Sequence, residues 1–283
     1  YGYWGPNIVR NFQSLDLNCV KMVSDLNTKV LEKAKKTYPS IHTTTDCREI
    51  LRSPDIDAVA VVTPVATHFP LVKEALENGK HVFVEKPFTD SVAHAEELVE
   101  LAEKKNLKIA AGLQCRHSVA RQALIEKIRA GELGDISLIR ATRGFGGNFL
   151  AKPPADIDHV AWQIRNRMHF LWASAGILLE MLIHQIDECC WIKDAWPVSA
   201  TGKGISANRP DNCSQNLANY SIEYTFADGG KAVVESVNPF ATFIHGSRRA
   251  AQFSGAVHRA TVHTYKGKEI DKTQIDWAAE REP

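Results

Sequence analysis

The chain has 283 residues, 44% of them hydrophobic, enough to bury a substantial core in one or two domains and too few for three. Its 34 basic and 33 acidic residues leave a formal charge of +1 and are spread along the chain, which removes the electrostatic case for nucleic acid or an anionic membrane and leaves a small molecule as the expected partner. No stretch reaches the roughly 18 to 20 uninterrupted apolar residues of a membrane helix, and no basic segment precedes an apolar signal core, so a cytoplasmic protein is expected.

The chain opens on Tyr1-Gly2-Tyr3-Trp4-Gly5-Pro6-Asn7, followed by a helical pattern through Phe12. This has the form of the last part of G-x-G-x-x-G, whose glycines let the backbone turn tightly and approach a pyrophosphate resting on the helix N-terminus. The first glycine and the strand ahead of it are missing, so the chain is expected to begin inside its domain. Gly2 and Gly5 alone are also compatible with an ordinary turn. A strand pattern over residues 19–23 follows and leads to Asp25, about 20 residues after the glycines. An acidic side chain there can accept both ribose hydroxyl hydrogens and repel a 2′-phosphate, which favours NAD over NADP; a solvated turn aspartate is the alternative.

Helical periodicity covers residues 28–37, 69–78 with Gly79 as C-cap, and 91–105 with Asp90 or Ser91 as N-cap. Between them lie β-branched runs over 57–62, 81–84 and 107–111. Such alternation predicts a doubly wound α/β domain built on a parallel sheet, spanning residues 1–113. Three segments then fall just beyond the carboxyl ends of strands, where open α/β sheets hold ligands: Thr63-Pro64 through His68, Glu85-Lys86-Pro87, and Gly112-Leu113-Gln114. Because proline biases its predecessor toward extended geometry, Lys86 is presented from a turn; an ordinary solvated lysine is the competing reading.

From residue 114 the character changes. A helix over 118–130 is closed by Gly131, a strand covers 136–142, and a Gly- and Pro-bearing loop runs to about residue 160. A helix over 177–192 follows, then strands over 199–204, 220–226, 231–236 and 252–254, with a turn at Asp228-Gly229-Gly230; these hairpin signals predict an antiparallel sheet in a second, α+β domain over 114–283. The helix carries Glu180, His184 and Asp187 at spacings that put them on one face, beside an apolar stripe of Leu179, Ile183 and Ile186. A lone histidine on such a face is commonly a hydrogen-bonded core residue, but three aligned polar groups are costly to bury without a ligand. A metal is the rival occupant; no further His or Cys cluster accompanies the stripe, and none is expected. Arg165, Arg167, Trp162 and Trp172 precede the helix and suit sugar hydroxyls or an anion, or else serve as surface and packing residues. The cysteines Cys19, Cys47, Cys115, Cys189, Cys190 and Cys213 form no CxxC pair and read as thiols, with Cys189-Cys190 as packing.

Taken together, Glu85-Lys86-Pro87, Thr63-Pro64 with His68, and Glu180, His184 and Asp187 resemble the glucose-fructose oxidoreductase, inositol dehydrogenase and rhizopine-catabolism (Gfo/Idh/MocA) family along essentially the whole chain. That resemblance implies a Rossmann domain followed by an α+β domain whose large, mostly antiparallel sheet often serves as an oligomer interface, hence a homodimer or homotetramer. It implies an NAD-dependent dehydrogenase of a sugar, sugar nucleotide or cyclitol. Lys86 and His184 would be catalytic, His184 as general base, with Asp187 in support. Gly2, Tyr3, Trp4, Gly5, Asp25, Thr63, Pro64, His68, Glu85 and Lys86 would hold the cofactor, and Glu180, Asp187, Arg165, Trp162 and Gln114 the substrate. Glu180 departs from the family's usual Asp, which moves its carboxylate by a methylene. Residues 1 to about 110 resemble sugar-nucleotide dehydrogenases of the family, Gly2 to Asn7 especially, whereas Trp162 to Asn166, Phe170 to Trp172 and His184 to Trp191 resemble members acting on glycosides or free sugars. A glycosidase that oxidises its sugar transiently, and an NAD-binding sensor without catalysis, are the alternative functions.

Overall fold

The structure is a computed structural model that describes residues 1–15, 19–144, 149–174, 176–206, 211–255 and 261–280. It divides into two compact units, Tyr1–Gly112 and Leu113–Pro283. No helix among the described residues is long and apolar enough to cross a membrane.

Unit 1 alternates helix and strand: α1 Gly5–Gln13, β1 Met22–Ser24, α2 Thr28–Thr37, β2 His42–Thr44, α3 Cys47–Arg52, β3 Ala58–Val61, α4 His68–Glu77, β4 His81–Val84, α5 Val92–Lys104 and β5 Ile109–Ala111. Among the described residues its strand pairings are parallel, β1 with β2 and β3-β4-β5 in that order, with Ala58 opposite His81 and Val82 opposite Ile109. Helix starts follow local chemistry: Asn27 accepts the Lys29 N–H at 3.0 Å, Asp46 the Arg48 N–H at 2.9 Å and Ser91 the His94 N–H at 3.1 Å. Gly79, at φ +75°, closes α4 in the left-handed region that a side chain would strain. Val72, Ala75 and Leu76 of α4 and Leu98 and Ala102 of α5 are buried against Val61, Val82 and Val84, each fully buried aliphatic side chain contributing roughly 1.5–3 kcal/mol. The elements β2 and α3 were not anticipated; three and six residues are too few to display a period.

Unit 2 comprises α6 Val119–Arg129, β6 Ile136–Thr142, α7 His159–Arg165, α8 Leu171–Ser174, α9 Ile183–Lys193 and seven further strands: β7 Ser199–Ile205, β8 Asn219–Thr225, β9 Lys231–Glu235, β10 Ala241–Gly246, β11 Ala250–Ser254, β12 Thr261–Tyr265 and β13 Ile275–Glu280. Of the loop expected up to about residue 160, residues 145–148 lie outside the described residues, and its end is already helical in α7. The strands form one sheet in the order β13-β12-β11-β10-β6-β9-β8-β7, antiparallel throughout except for β6 with β9. Leu124 and Ile128 of α6 and Cys189 and Ile192 of α9 pack with Ile139, Val234, Ile244, Phe253 and Val262 of the sheet into one core. The strands β10, β12 and β13 had no sequence signal strong enough to mark them. The helix expected over 177–192 is not one uniform α-helix: Leu178–Leu182 form a π-helical turn before α9 begins. Such wide turns re-aim the side chains they carry.

Candidate active site

In unit 1 the residues singled out by sequence gather around the strand ends. Gly5 starts α1, and nothing lies within 4 Å of where a Cβ on Gly5 or Gly2 would stand, so the backbone there is open to close approach. Asp25 follows β1, and its Oδ1 accepts the Asn27 N–H at 2.8 Å. Thr63 and Pro64 are exposed after β3, with the Thr67 hydroxyl donating to Thr63 Oγ1 at 2.8 Å. Tyr3 is almost entirely exposed.

The turn after β4 is tied to its neighbours through Glu85. Trp4 Nε1 donates to Glu85 Oε1 at 2.7 Å, joining this turn to the glycine turn, and the Lys86 N–H donates to Glu85 Oε2 at 3.1 Å. A Cβ on Gly112 would stand 2.7 Å from Glu85 Oε2, so only glycine leaves the carboxylate its place beside the end of β5. Burial pushes the Glu85 carboxyl above its ordinary range, against the opposing pull of the Trp4 and Lys86 hydrogen bonds and of the Lys86 and His68 charges. Lys86 itself is half-buried. His68 is turned inward rather than toward the surface: it is 1% exposed, with both ring nitrogens 2.8 Å from backbone carbonyl oxygens, those of Pro87 and Thr63.

In unit 2, Glu180, His184 and Asp187 are 9, 3 and 8% exposed, whereas Leu179, Ile183 and Ile186 are only half-buried. The polar stripe therefore faces inward. Partners explain this for Asp187. Its carboxylate receives Arg116 Nε at 3.0 Å and Nη2 at 2.8 Å, and the guanidinium lies 5.5 Å from the Trp191 ring centre. Those hydrogen bonds to Asp187 hold the Arg116 cation more strongly protonated than usual. The carboxylate expected to meet substrate is thus already engaged. Gln114 is exposed in the 3-10 turn Gln114–His117 that also carries Arg116. Trp162 is half-buried against Phe170, ring centres 5.5 Å apart, and Arg165 is exposed at the end of α7. Among the described residues no group of three or more His, Cys, Asp or Glu side chains is placed to hold a metal ion.

Arg116 and the buried pair of Arg121 with Glu188 escaped sequence reasoning. Their only sequence signal was a basic residue on one predicted helix or turn and an acidic one on another, about 70 positions away.

Residues 1–113 match the model of the oxidoreductase family with an NAD-binding Rossmann fold, Gfo/Idh/MocA. The whole chain is 23% identical to the uncharacterized oxidoreductase YrbE of Bacillus subtilis, covering 77% of it. Over 188 residues, 66% of the chain, it is 30% identical to scyllo-inositol 2-dehydrogenase (NAD(+)) of the same organism, spanning half of that relative's length. The crystal structure of aldose-aldose oxidoreductase from Caulobacter crescentus, complexed with glycerol, superposes on 100% of this chain and 81% of its own with a TM-score of 0.78 at 19% identity, a likeness of fold.

Proposed function

We propose, for a chain whose residues 1–113 carry the NAD-binding Rossmann domain of the Gfo/Idh/MocA oxidoreductase family, that the protein is an NAD-dependent dehydrogenase oxidising a hydroxyl of a sugar, sugar nucleotide or cyclitol. The observation that carries this reading is the Glu85-Lys86-Pro87 turn, tied through the Trp4 indole at 2.7 Å to the glycine turn that opens α1. That places a lysine on the same turn system as the open backbone a dinucleotide requires.

The donor set fits such a cofactor. Gly2 and Gly5 leave backbone accessible at the positive N-terminal end of α1, and the Asp25 carboxylate suits an unphosphorylated ribose, which favours NAD. Bound NAD supplies the two-electron acceptor for the carbon-bound hydrogen. The remaining task falls to the protein. Lys86 orients the substrate hydroxyl and favours its ionised form, and His184 takes the hydroxyl proton as general base. Asp187 acts through Arg116, holding that cation in place, and Glu180, Gln114, Trp162 and Arg165 contribute substrate contacts.

The test is NADH formation across a panel of aldoses, inositols and sugar nucleotides, followed by Lys86→Ala and His184→Ala. Each variant should keep its NAD affinity by calorimetry and lose turnover by about 10² or more. Near-normal turnover in both would remove the assignment, and release of an aglycone without net NADH would replace it by a glycosidase.

A further inference from the structure

His68 is the first residue of α4 and almost wholly buried, yet both of its ring nitrogens face acceptors that have no proton to give. Nδ1 lies 2.8 Å from the Pro87 carbonyl oxygen and Nε2 lies 2.8 Å from that of Thr63. A neutral imidazole carries one N–H and one lone pair, so it can satisfy one of these contacts and must set a lone pair against an oxygen in the other. Only the imidazolium donates to both.

We propose that His68 is a positioning residue: a buried imidazolium whose two N–H groups lock the Thr63 turn to the Lys86-Pro87 turn and thereby set the lysine. The two carbonyls it joins belong to the segment after β3 and the segment after β4. Around it, Glu85 and Lys86 stand on the β4 turn, and the first turn of α4 has no acidic residue, so the positive end of that helix works against the charge. Glu85 supplies the offsetting negative charge. Its carboxylate is held by Trp4 and the Lys86 N–H, so the turn is gripped at Glu85 from one side and at Pro87 from the other.

The positioning of Lys86 rests on the dehydrogenase reading, whereas the charge on His68 does not. Nitrogen NMR of the labelled full chain, with His68 assigned through its backbone, separates the two. At neutral pH both ring nitrogens should resonate as protonated, with both N–H protons slow to exchange; one nitrogen of lone-pair type would overturn the proposal. His68→Gln retains a single donor group that cannot span both carbonyls. It should lower kcat about 10-fold or more, as a displaced lysine does, with NAD affinity changed less. An unchanged kcat, or an equal loss in kcat and affinity, would end the positioning role. Should Lys86→Ala prove near-normal, the function fails while the doubly protonated signature of His68 stands, and the wild-type spectrum remains decisive even if His68→Gln does not fold.

Discussion

Arg121 and Glu188 are each 1% exposed in their side chains and meet with Nε 2.6 Å from Oε1. The other carboxylate oxygen accepts the Thr242 hydroxyl at 2.8 Å, Arg121 Nη2 reaches the Gly255 carbonyl at 3.1 Å, and the guanidinium lies 5.5 Å from the Phe253 ring centre. Burial, reinforced by the Glu188 charge, pushes the neighbouring Cys115 thiol up to about 12, so that sulfur stays protonated and unreactive at neutral pH. A buried pair of this kind adds little net stability over apolar residues of the same size, but a single charge left behind is expensive. Arg121→Met should therefore cost about 3–5 kcal/mol by denaturant unfolding, and the double change Arg121→Met with Glu188→Leu should recover most of it. A loss below about 1 kcal/mol for Arg121→Met would mean that Glu188 finds water or another partner. Sequence marked neither residue, because periodicity reports that a position is buried and not which charge the fold brings opposite it.

The hairpin of β10 and β11 shows how a backbone contact constrains an element. Gly246 ends β10 at a register shift, and its N–H donates to the Arg249 carbonyl at 3.0 Å. A Cβ there would strike the Leu133 carbonyl oxygen and come within 2.8 Å of the Arg249 carbonyl oxygen, both backbone atoms that cannot swing aside. Gly246→Ala should cost about 1–3 kcal/mol and lower the Tm of unit 2; an unchanged Tm would show that the hairpin relaxes freely. The bounds of β4, β6 and α2 are those that the sequence pattern predicted. In α9 the period was legible and the partners were not: Asp187 and Glu188 lie inward with Arg116 and Arg121 as partners, while Ile183 and Ile186 are half-buried. An amphipathic rule assumes that polar groups have only water to turn to.

Across the whole molecule the two units should answer acid in opposite senses. In unit 2, burial holds the His169 and His263 rings below the ordinary histidine value of 6.5. The unfolded chain then takes up those protons first, so their contribution to stability is complete above 6.5 and is lost as pH falls below it. In unit 1 the Glu85 carboxyl is raised above 4.5, so its ionised form weakens the fold at neutral pH and protonation relieves that cost as pH falls toward 4.5. Thermal melts between these values should show a transition assignable to unit 2 moving down, with His169→Asn flattening the slope. A slope equal to wild type would show that His169 is not its source.

The amino-acid sequence by itself determined what depends on neighbours a few positions apart: the alternation that makes unit 1 a parallel α/β domain, the caps at Ser91 and Gly79, the turn that presents Lys86, and the hairpin signals of the large sheet. Those features follow from side-chain period and backbone freedom, which are local quantities. Only the tertiary structure decided the pairings of Arg116 with Asp187 and Arg121 with Glu188, the inward turn of His68 between two carbonyls, and the grip of Trp4 on Glu85. Each of these joins segments through space, and a charge or a ring nitrogen acquires its role from the partner that chain topology sets opposite it.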